Sequence, residues 1–471
     1  MLLDLFSKLD DPSDATRNQT QRATFKGLMS STRIAVLGAG MAGLAAANTL
    51  RDQDCKVFEA RSHSGGHAST FRVGTYHFDE GPHVSFTSNE RVQKFLAASV
   101  GGRFNTHPTY ATNFYDGHIV RHPVQCNLRG LPTDLVSKCI ASFVQAQYGD
   151  KKEINNYRDW CYAGLGEVIS ETFTRLYTRK YWTLEMEQLT TDWVSARVYA
   201  PKLEEVLDGA LSEASGQHYY MSKFHYPQDN GFGEYNTLLT ERSRIEYGRK
   251  ASEINPLQRK VTFESGDSIH YEHLISSIPL PELLNRIPTA PAAVREAAAK
   301  LTCSSHLLVS VGVKRPLLND AYWMYVYDED IPFSRISFPS KYSGKIAPQG
   351  YSSAQVEIVH SKYKALPARE SIADLTVEGL IRCGILHNKE EIDMLDIRDI
   401  RYANVVFDFD RKRNLGIVHD YLREAKIHWC GRYGDWEYHW TDQSMLSGER
   451  AANEIRALIG EEAKEYTEGV V

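Results

Sequence analysis

The stretch RIAVLGAGMAGLAAANTL, from Arg33 to Leu50, constrains this chain more than any other segment. A short aliphatic run, RIAVL, is followed at once by Gly38, Gly40 and Gly43, then by small residues at helical period. KVFEA reads as a second strand and closes on Glu59. Strand, glycine turn, helix and strand in that order make a dinucleotide-binding unit. Gly38 permits the tight turn, Gly40 lets backbone approach a pyrophosphate, and Gly43 lets the helix lie close on the strand. The helix N-terminus then faces the phosphates with free N–H groups and positive partial charge. Glu59 follows Gly38 by about 20 residues, where an acid accepts hydrogen bonds from ribose hydroxyls. A second glycine pair, Gly65 and Gly66 in ARSHSGGHAST, suits FAD better than NAD, because FAD extends further past its pyrophosphate. His63 and His67 lack partners at metal-ligand spacing and read as loop histidines, so no metal is expected.

The texture then changes. From Thr133 to about Arg197 the apolar period is helical, with Leu135, Cys139 and Phe143 on one stripe and Val168, Ile169, Phe173 and Leu176 on another. Thr133 is the expected N-cap of the first of these helices. FHYPQDNGFGEYNTLL, with its glycines, suggests a return to the cofactor. Between about residues 250 and 410, RKVTFES, HLISSIP, HLLVSVGVK, YWMYVYD and SAQVEIVHS alternate like strands of a half-buried antiparallel sheet. The end reads as a strand, a glycine and aromatic loop, and a helix capped near Thr441 or Asp442. The expected fold is α/β, a Rossmann-like FAD-binding domain with an inserted helical bundle and an antiparallel β-sheet substrate domain. The expected divisions are a polar extension over 1–30, an FAD-binding domain from 31–95, 225–300 and 415–460, a largely helical 96–224, a sheet domain over 301–414, and a tail over 461–471.

A net charge of -6 gives no global field for nucleic acid or anionic membrane, so neither is an expected partner. An anionic substrate would have to be held by a few local arginines. Seven cysteines, an odd number with no CxxC, fit reduced thiols and a cytoplasmic protein better than a disulfide frame. The opening segment carries acids where a signal peptide needs apolar residues, and no run approaches the about 18 apolar residues of a membrane span.

The pieces GAGMAGL, GGHAST, YHFDEGPHVSF, HPVQCNLRGLP, YTRKYWTLEMEQLTTDWVSARVYAPKL, FHYPQDNGFG, IPFSRISF and CGRYGDWEYHWTDQS together resemble the FAD-containing amine-oxidase-like superfamily. Within it the chain is similar to the UDP-galactopyranose mutases of the longer, eukaryotic type, in order and spacing from Arg33 to Ile455. That resemblance implies a pyranose–furanose isomerisation with no net redox change. In such enzymes reduced FAD, kept so by an external reductant such as NAD(P)H, attacks the anomeric carbon of a nucleoside-diphosphate sugar through N5. By motif, Arg197 and Arg335 take the diphosphate-binding positions, a chemistry that arginine forks suit. Tyr438 and Tyr325 match substrate-facing tyrosines, and Gln125, Tyr177 and Trp182 match positions beside the nucleotide and sugar. His83, after Gly81, matches a histidine near the isoalloxazine, and Gly431, Arg432, Asp442 and Gln443 are placed by cofactor contact.

Three positions depart from the family. Gly81-Pro82-His83 stands where the family has Gly-Gly-His, and proline fixes φ and removes an N–H. Val406 falls where a second substrate tyrosine is expected, and Asn230 precedes Gly231 in place of a glycine pair. These changes keep open a FAD-dependent oxidase or desaturase acting on a small molecule, and a flavin-binding protein without turnover. Asp408 and Asp410 in DFD are read as strand alternation and not as a metal site. Oligomeric state is not legible.

Overall fold

The structure is a computed structural model that describes residues 30–194, 197–212, 218, 220–317 and 319–470. The polar extension read over 1–30 lies outside them except for its last residue. Ser30–Leu37 (β1) is the inner strand of a seven-stranded sheet, with Cys55–Phe58 (β2) parallel on one side and Ser268–Ser276 parallel on the other. A strand covered on both faces must be apolar on both. Ile34 and Val36 enter one core while Ala35 and Leu37 enter another. Ile245–Glu246 continues the sheet beyond β2. On the far side, Lys260–Phe263 runs antiparallel to the first half of Ser268–Ser276, and Ile427–Trp429 runs parallel to its second half.

Ser268–Ser276 corrects one expectation. Its HLIS reads in the sequence as part of the antiparallel set, but Leu274 and Ile275 are both fully buried, as an inner parallel strand demands. The helix after the glycine turn, Met41–Thr49 (α1), is buried along its whole length because its residues are small. It packs against the closing helix, Thr441–Leu458, so tightly that a Cβ on Gly448 would sit 2.0 Å from the Ala42 carbonyl oxygen.

The second sheet has the order Ile392–Ile400, Ser305–Val313, Ser352–His360, Arg335–Ser337, Trp323–Val326, Ala111–Tyr115 and His118–Arg121. Every pairing is antiparallel except that of Trp323–Val326 with Ala111–Tyr115. The last two strands come from the stretch expected to be largely helical. Alternation divides the faces. Val309, Val311, Ile336, Val356 and Ile358 bury one side in a core of their own, while His306, Arg335 and Glu357 look out of the other.

The bundle consists of Thr133–Tyr148, Tyr157–Leu165 and a helix from Glu167 to Tyr181 that passes through a π-helical turn at Ser170–Arg175. Its stripes bury Cys139, Phe143, Ile169 and Phe173 and half-bury Leu135, Val168 and Leu176. Pro132, extended and without an N–H, is the N-cap, so Thr133 is the first helical residue and not the cap. All seven cysteines are free and six are buried. Among the described residues no helix is long and apolar enough to cross a membrane.

Candidate active site

A cavity of about 640 Å³ runs from the glycine turn to the polar face of the antiparallel sheet. At the turn, Gly38 has a φ of 97°, and a Cβ on Gly43 would meet the Gly38 carbonyl oxygen at 2.0 Å. The two glycine pairs interlock, since Gly65 N–H donates to the Ala39 carbonyl at 2.8 Å and a Cβ on Gly66 would lie 3.1 Å from Gly40 Cα. No side chain caps α1, whose first N–H groups are left for an anion. Glu59 accepts from Ala39 N–H at 2.6 Å through Oε2 and from Arg61 N–H at 2.8 Å through Oε1. Each carboxylate oxygen keeps a lone pair for a ribose hydroxyl. An open helix end, a cradle without Cβ atoms and a fixed acid fit the pyrophosphate and ribose of FAD.

Beyond the cradle stands the loop Gly81-Pro82-His83. Gly81 has a φ of 102°, and His83 Nδ1 donates to its carbonyl at 2.9 Å, which turns Nε2 into the acceptor. Burial pushes the His83 pKa down to about 4 from 6.5. The native state therefore binds fewer protons than the unfolded chain between those values. The stabilisation is full above about pH 6.5 and is lost as pH falls toward 4. A nuclear magnetic resonance titration is expected to find the His83 ring neutral at pH 5.5, and a midpoint near 6.5 would contradict the placement.

Asp79, which the sequence reading passed over, holds this loop. Its carboxylate accepts from Thr70 Oγ at 2.5 Å, Tyr226 OH at 2.6 Å and Phe232 N–H at 3.0 Å, joining YHFDEGPH to FHYPQDNGFG. Asn230 takes the left-handed conformation at a φ of 55°, which asparagine tolerates, and a Cβ on Gly231 would strike Thr70 at 2.6 Å. Burial raises the Asp79 pKa to about 6. The native state then binds more protons than the unfolded chain between about pH 4 and 6, so this group subtracts stability as pH rises through that window. Melting temperatures of Asp79→Asn are expected to rise more, or fall less, between about pH 4 and 6 than those of the wild type. Equal slopes would refute the assignment.

At the opposite wall Arg335 faces Glu357 directly across paired strands, and its Nε donates to Glu357 Oε2. Tyr438 and Tyr181 share a hydroxyl hydrogen bond of 2.5 Å. Tyr181 was missed, although it sits one helical turn after Tyr177 and so on the same face. Arg432 donates from Nε to the His439 carbonyl at 3.0 Å and from Nη1 to the Ala403 carbonyl at 2.9 Å. Other arginines of the wall are answered by acids: Arg61 by Glu80, Arg249 by Asp267, and Arg286 and Arg401 by Glu282. Among the described residues Arg432 and Arg197 have no carboxylate partner.

The cavity wall gathers Gly38, Gly40, Glu59, Gly65, Gly66, Gly81, His83, Arg335, Gly431, Arg432 and Tyr438 of the expected site. The rest stand behind or beside it. Arg197 is stacked between Tyr438 and Trp440, its guanidinium carbon 4.3 and 4.5 Å from the ring centres, with Nη2 donating to the Tyr438 carbonyl and Nε without a partner. Burial pulls its pKa down. Trp182 packs on Tyr438 at 5.4 Å, Tyr177 on Tyr181 at 5.4 Å and on Tyr325 at 5.5 Å. Gln125 donates to the Tyr199 carbonyl at 2.8 Å. Gly43 serves helix packing. Asp442 accepts from Thr87 Oγ at 2.5 Å, and Gln443 accepts from Trp440 N–H at 2.9 Å, which makes Trp440 the N-cap where Thr441 or Asp442 was expected. Val406 is fully buried in the apolar core, not on the wall.

Solved structures share this fold. A reduced UDP-galactopyranose mutase superposes with a TM-score of 0.86 at 24% identity, over 93% of this chain and 98% of that one. A cyclohexylamine oxidase from Brevibacterium oxydans gives 0.66 at 14% identity, over 92% and 100%. A fatty acid isomerase from P. acnes gives 0.60 at 14% identity, over 90% and 98%. Residues 41–360, more than half of the chain, match the sequence profile of the flavin-containing amine oxidoreductases. With the glycine cradle and Glu59 at one end of the cavity, the match places the chain in the flavin-containing amine oxidoreductase family, whose cofactor is FAD.

Proposed function

We propose that this chain is a flavin-dependent nucleotide-sugar mutase, which interconverts pyranose and furanose forms of a nucleoside-diphosphate sugar without net oxidation. The observation that carries the reading is the cationic charge around Tyr438 that no acid answers. Arg432 on the wall and Arg197 behind the ring donate to backbone carbonyls, and Arg432 also meets the Tyr433 hydroxyl, but neither has a carboxylate partner among the described residues. Half-buried guanidinium groups such as these, without a counter-ion, gain when an anion joins them. A diphosphate carries two such charges and suits arginine forks. Arg335 adds a third fork, anchored through Nε with its terminal nitrogens left for a ligand. Bound FAD, kept reduced by an external donor such as NAD(P)H, would supply a nucleophilic ring nitrogen for the anomeric carbon. Tyr438 and Tyr181 would orient the phosphates through their shared hydroxyl pair. His83, neutral at physiological pH, would accept a hydrogen bond without adding charge beside the ring.

Titration of UDP into the holoenzyme, followed by flavin absorbance and calorimetry, tests the reading. Saturable binding at one site, abolished in an Arg432→Ala and Arg197→Ala double variant, is expected. No binding would overturn it. Family membership also supports a second reading, an oxidase or desaturase, which substrate-dependent bleaching of oxidised flavin without any reductant would mark.

A further inference from the structure

We propose that His306 and Asn404 are positioning residues that set the Arg335 fork for its anion; this rests on reading Arg335 as a phosphate-binding residue. Strand register builds the chain. Glu357 stands opposite Arg335 on one neighbouring strand and opposite Leu308 on the other. His306, two residues from Leu308, therefore shares the face of Glu357 at the diagonal position. Glu357 Oε2 accepts from Arg335 Nε, and Glu357 Oε1 lies 3.1 Å from His306 Nδ1. His306 Nε2 lies 3.1 Å from Asn404 Nδ2. An imidazole that donates from Nδ1 and accepts at Nε2 uses both contacts. Asn404 is itself fixed, since its carbonyl accepts from Ser304 N–H at 2.8 Å and its N–H donates to Ser304 Oγ at 3.3 Å. Exposures of 6% for His306, 2% for Glu357 and 4% for Asn404 leave water little access to these polar atoms.

The chain has a chemical consequence. A carboxylate beside a guanidinium favours the bidentate fork, with both oxygens on two nitrogens. Glu357 in that pose would take a terminal nitrogen of Arg335 away from the cavity. His306 prevents it by holding Oε1, so that only Oε2 meets Arg335 and only Nε is used. Asn404 prevents the imidazole from turning. Neither residue needs to touch the ligand.

The test measures dissociation constants of UDP and of inorganic pyrophosphate with the holoenzyme, in single and double variants, alongside flavin content and melting temperature. His306→Phe is expected to weaken UDP binding about 10- to 100-fold, the range for losing a hydrogen bond to a charged group. His306→Asn, which restores a donor near Nδ1, should recover most of the affinity. In an Arg335→Ala background His306→Phe should cost nothing more, because its effect passes through Arg335. Should His306→Phe lose its flavin, Asn404→Leu at the far end of the chain is expected to show the same non-additivity. If UDP binds and Arg335→Ala weakens it, but the His306 and Asn404 variants bind normally or add their losses in full, the positioning role is overturned while the functional reading stands. If neither probe binds the wild type, the reading of Arg335 falls and this inference with it.

Discussion

Arg335→Ala is expected to weaken binding of a nucleoside diphosphate by about 2–5 kcal/mol, the range for removing one partner of a buried charge pair at an interface. The same change strands Glu357, whose side chain is 3% exposed, with His306 as its remaining partner. Breaking a buried pair costs about 3–5 kcal/mol of stability, so a fall in melting temperature should accompany the loss of affinity. Arg335→Ala with Glu357→Gln separates the two effects, because it removes the stranded charge. The double variant should regain stability and stay weak in binding. Unchanged affinity in either variant would show that Arg335 does not touch the diphosphate. A pH signature should follow. Burial raises the Glu357 pKa, but Arg335 and His306 more than offset this and hold it well below the ordinary carboxylate range. A group depressed in the native state contributes stability above its unfolded pKa, near 4.5, and loses it as pH falls further. Without Arg335 that acid-side loss should shrink.

Gly43→Ala is expected to strip the cofactor from the protein. The added methyl would sit 2.0 Å from the Gly38 carbonyl oxygen, a backbone atom that cannot turn aside. Strand and α1 must separate, and overpacking of this kind costs about 1–3 kcal/mol or more. The pyrophosphate cradle is built from the same turn, so flavin-to-protein absorbance should fall with melting temperature. Gly416→Ala serves as the control, since nothing lies within 4 Å of its added Cβ and alanine favours a helix. Full flavin content in Gly43→Ala would refute the role of the close approach.

The cradle was legible because it is local. Gly38, Gly40, Gly43 and Glu59 fall within one strand, turn, helix and strand, and each has a steric or hydrogen-bonding reason that needs no distant partner. The polar face of the second sheet was half legible. Alternation in SAQVEIVHS puts Gln355 and Glu357 on one side, yet nothing local says that Glu357 will meet Arg335 and His306. That follows from register across three strands. Asp79 was hidden for the same reason, because only Thr70 is a local hairpin partner while Tyr226 and Phe232 lie 147 and 153 residues further along the chain. Ser268–Ser276 misled because its first half alternates and has an antiparallel neighbour on one side, while its second half is an inner strand with parallel neighbours on both. Ala111–Tyr115 and His118–Arg121 were absorbed into a helical stretch because two short strands carry little periodicity beside long amphipathic helices. The resemblance supplied Arg197 and Tyr438, and the structure adds how they relate: the guanidinium lies stacked on the ring, not beside the cavity.

One measurement tests the central claim most directly. Sugar nucleotides, UDP-galactopyranose and UDP-galactofuranose first, are incubated with the holoenzyme with and without dithionite while products and the flavin spectrum are followed. The account predicts ring isomerisation only with reduced flavin, no net consumption of reductant, and loss of turnover in Arg432→Ala and Arg335→Ala. A small-molecule substrate that reduces the oxidised flavin, with no isomerised sugar nucleotide under either condition, would contradict it.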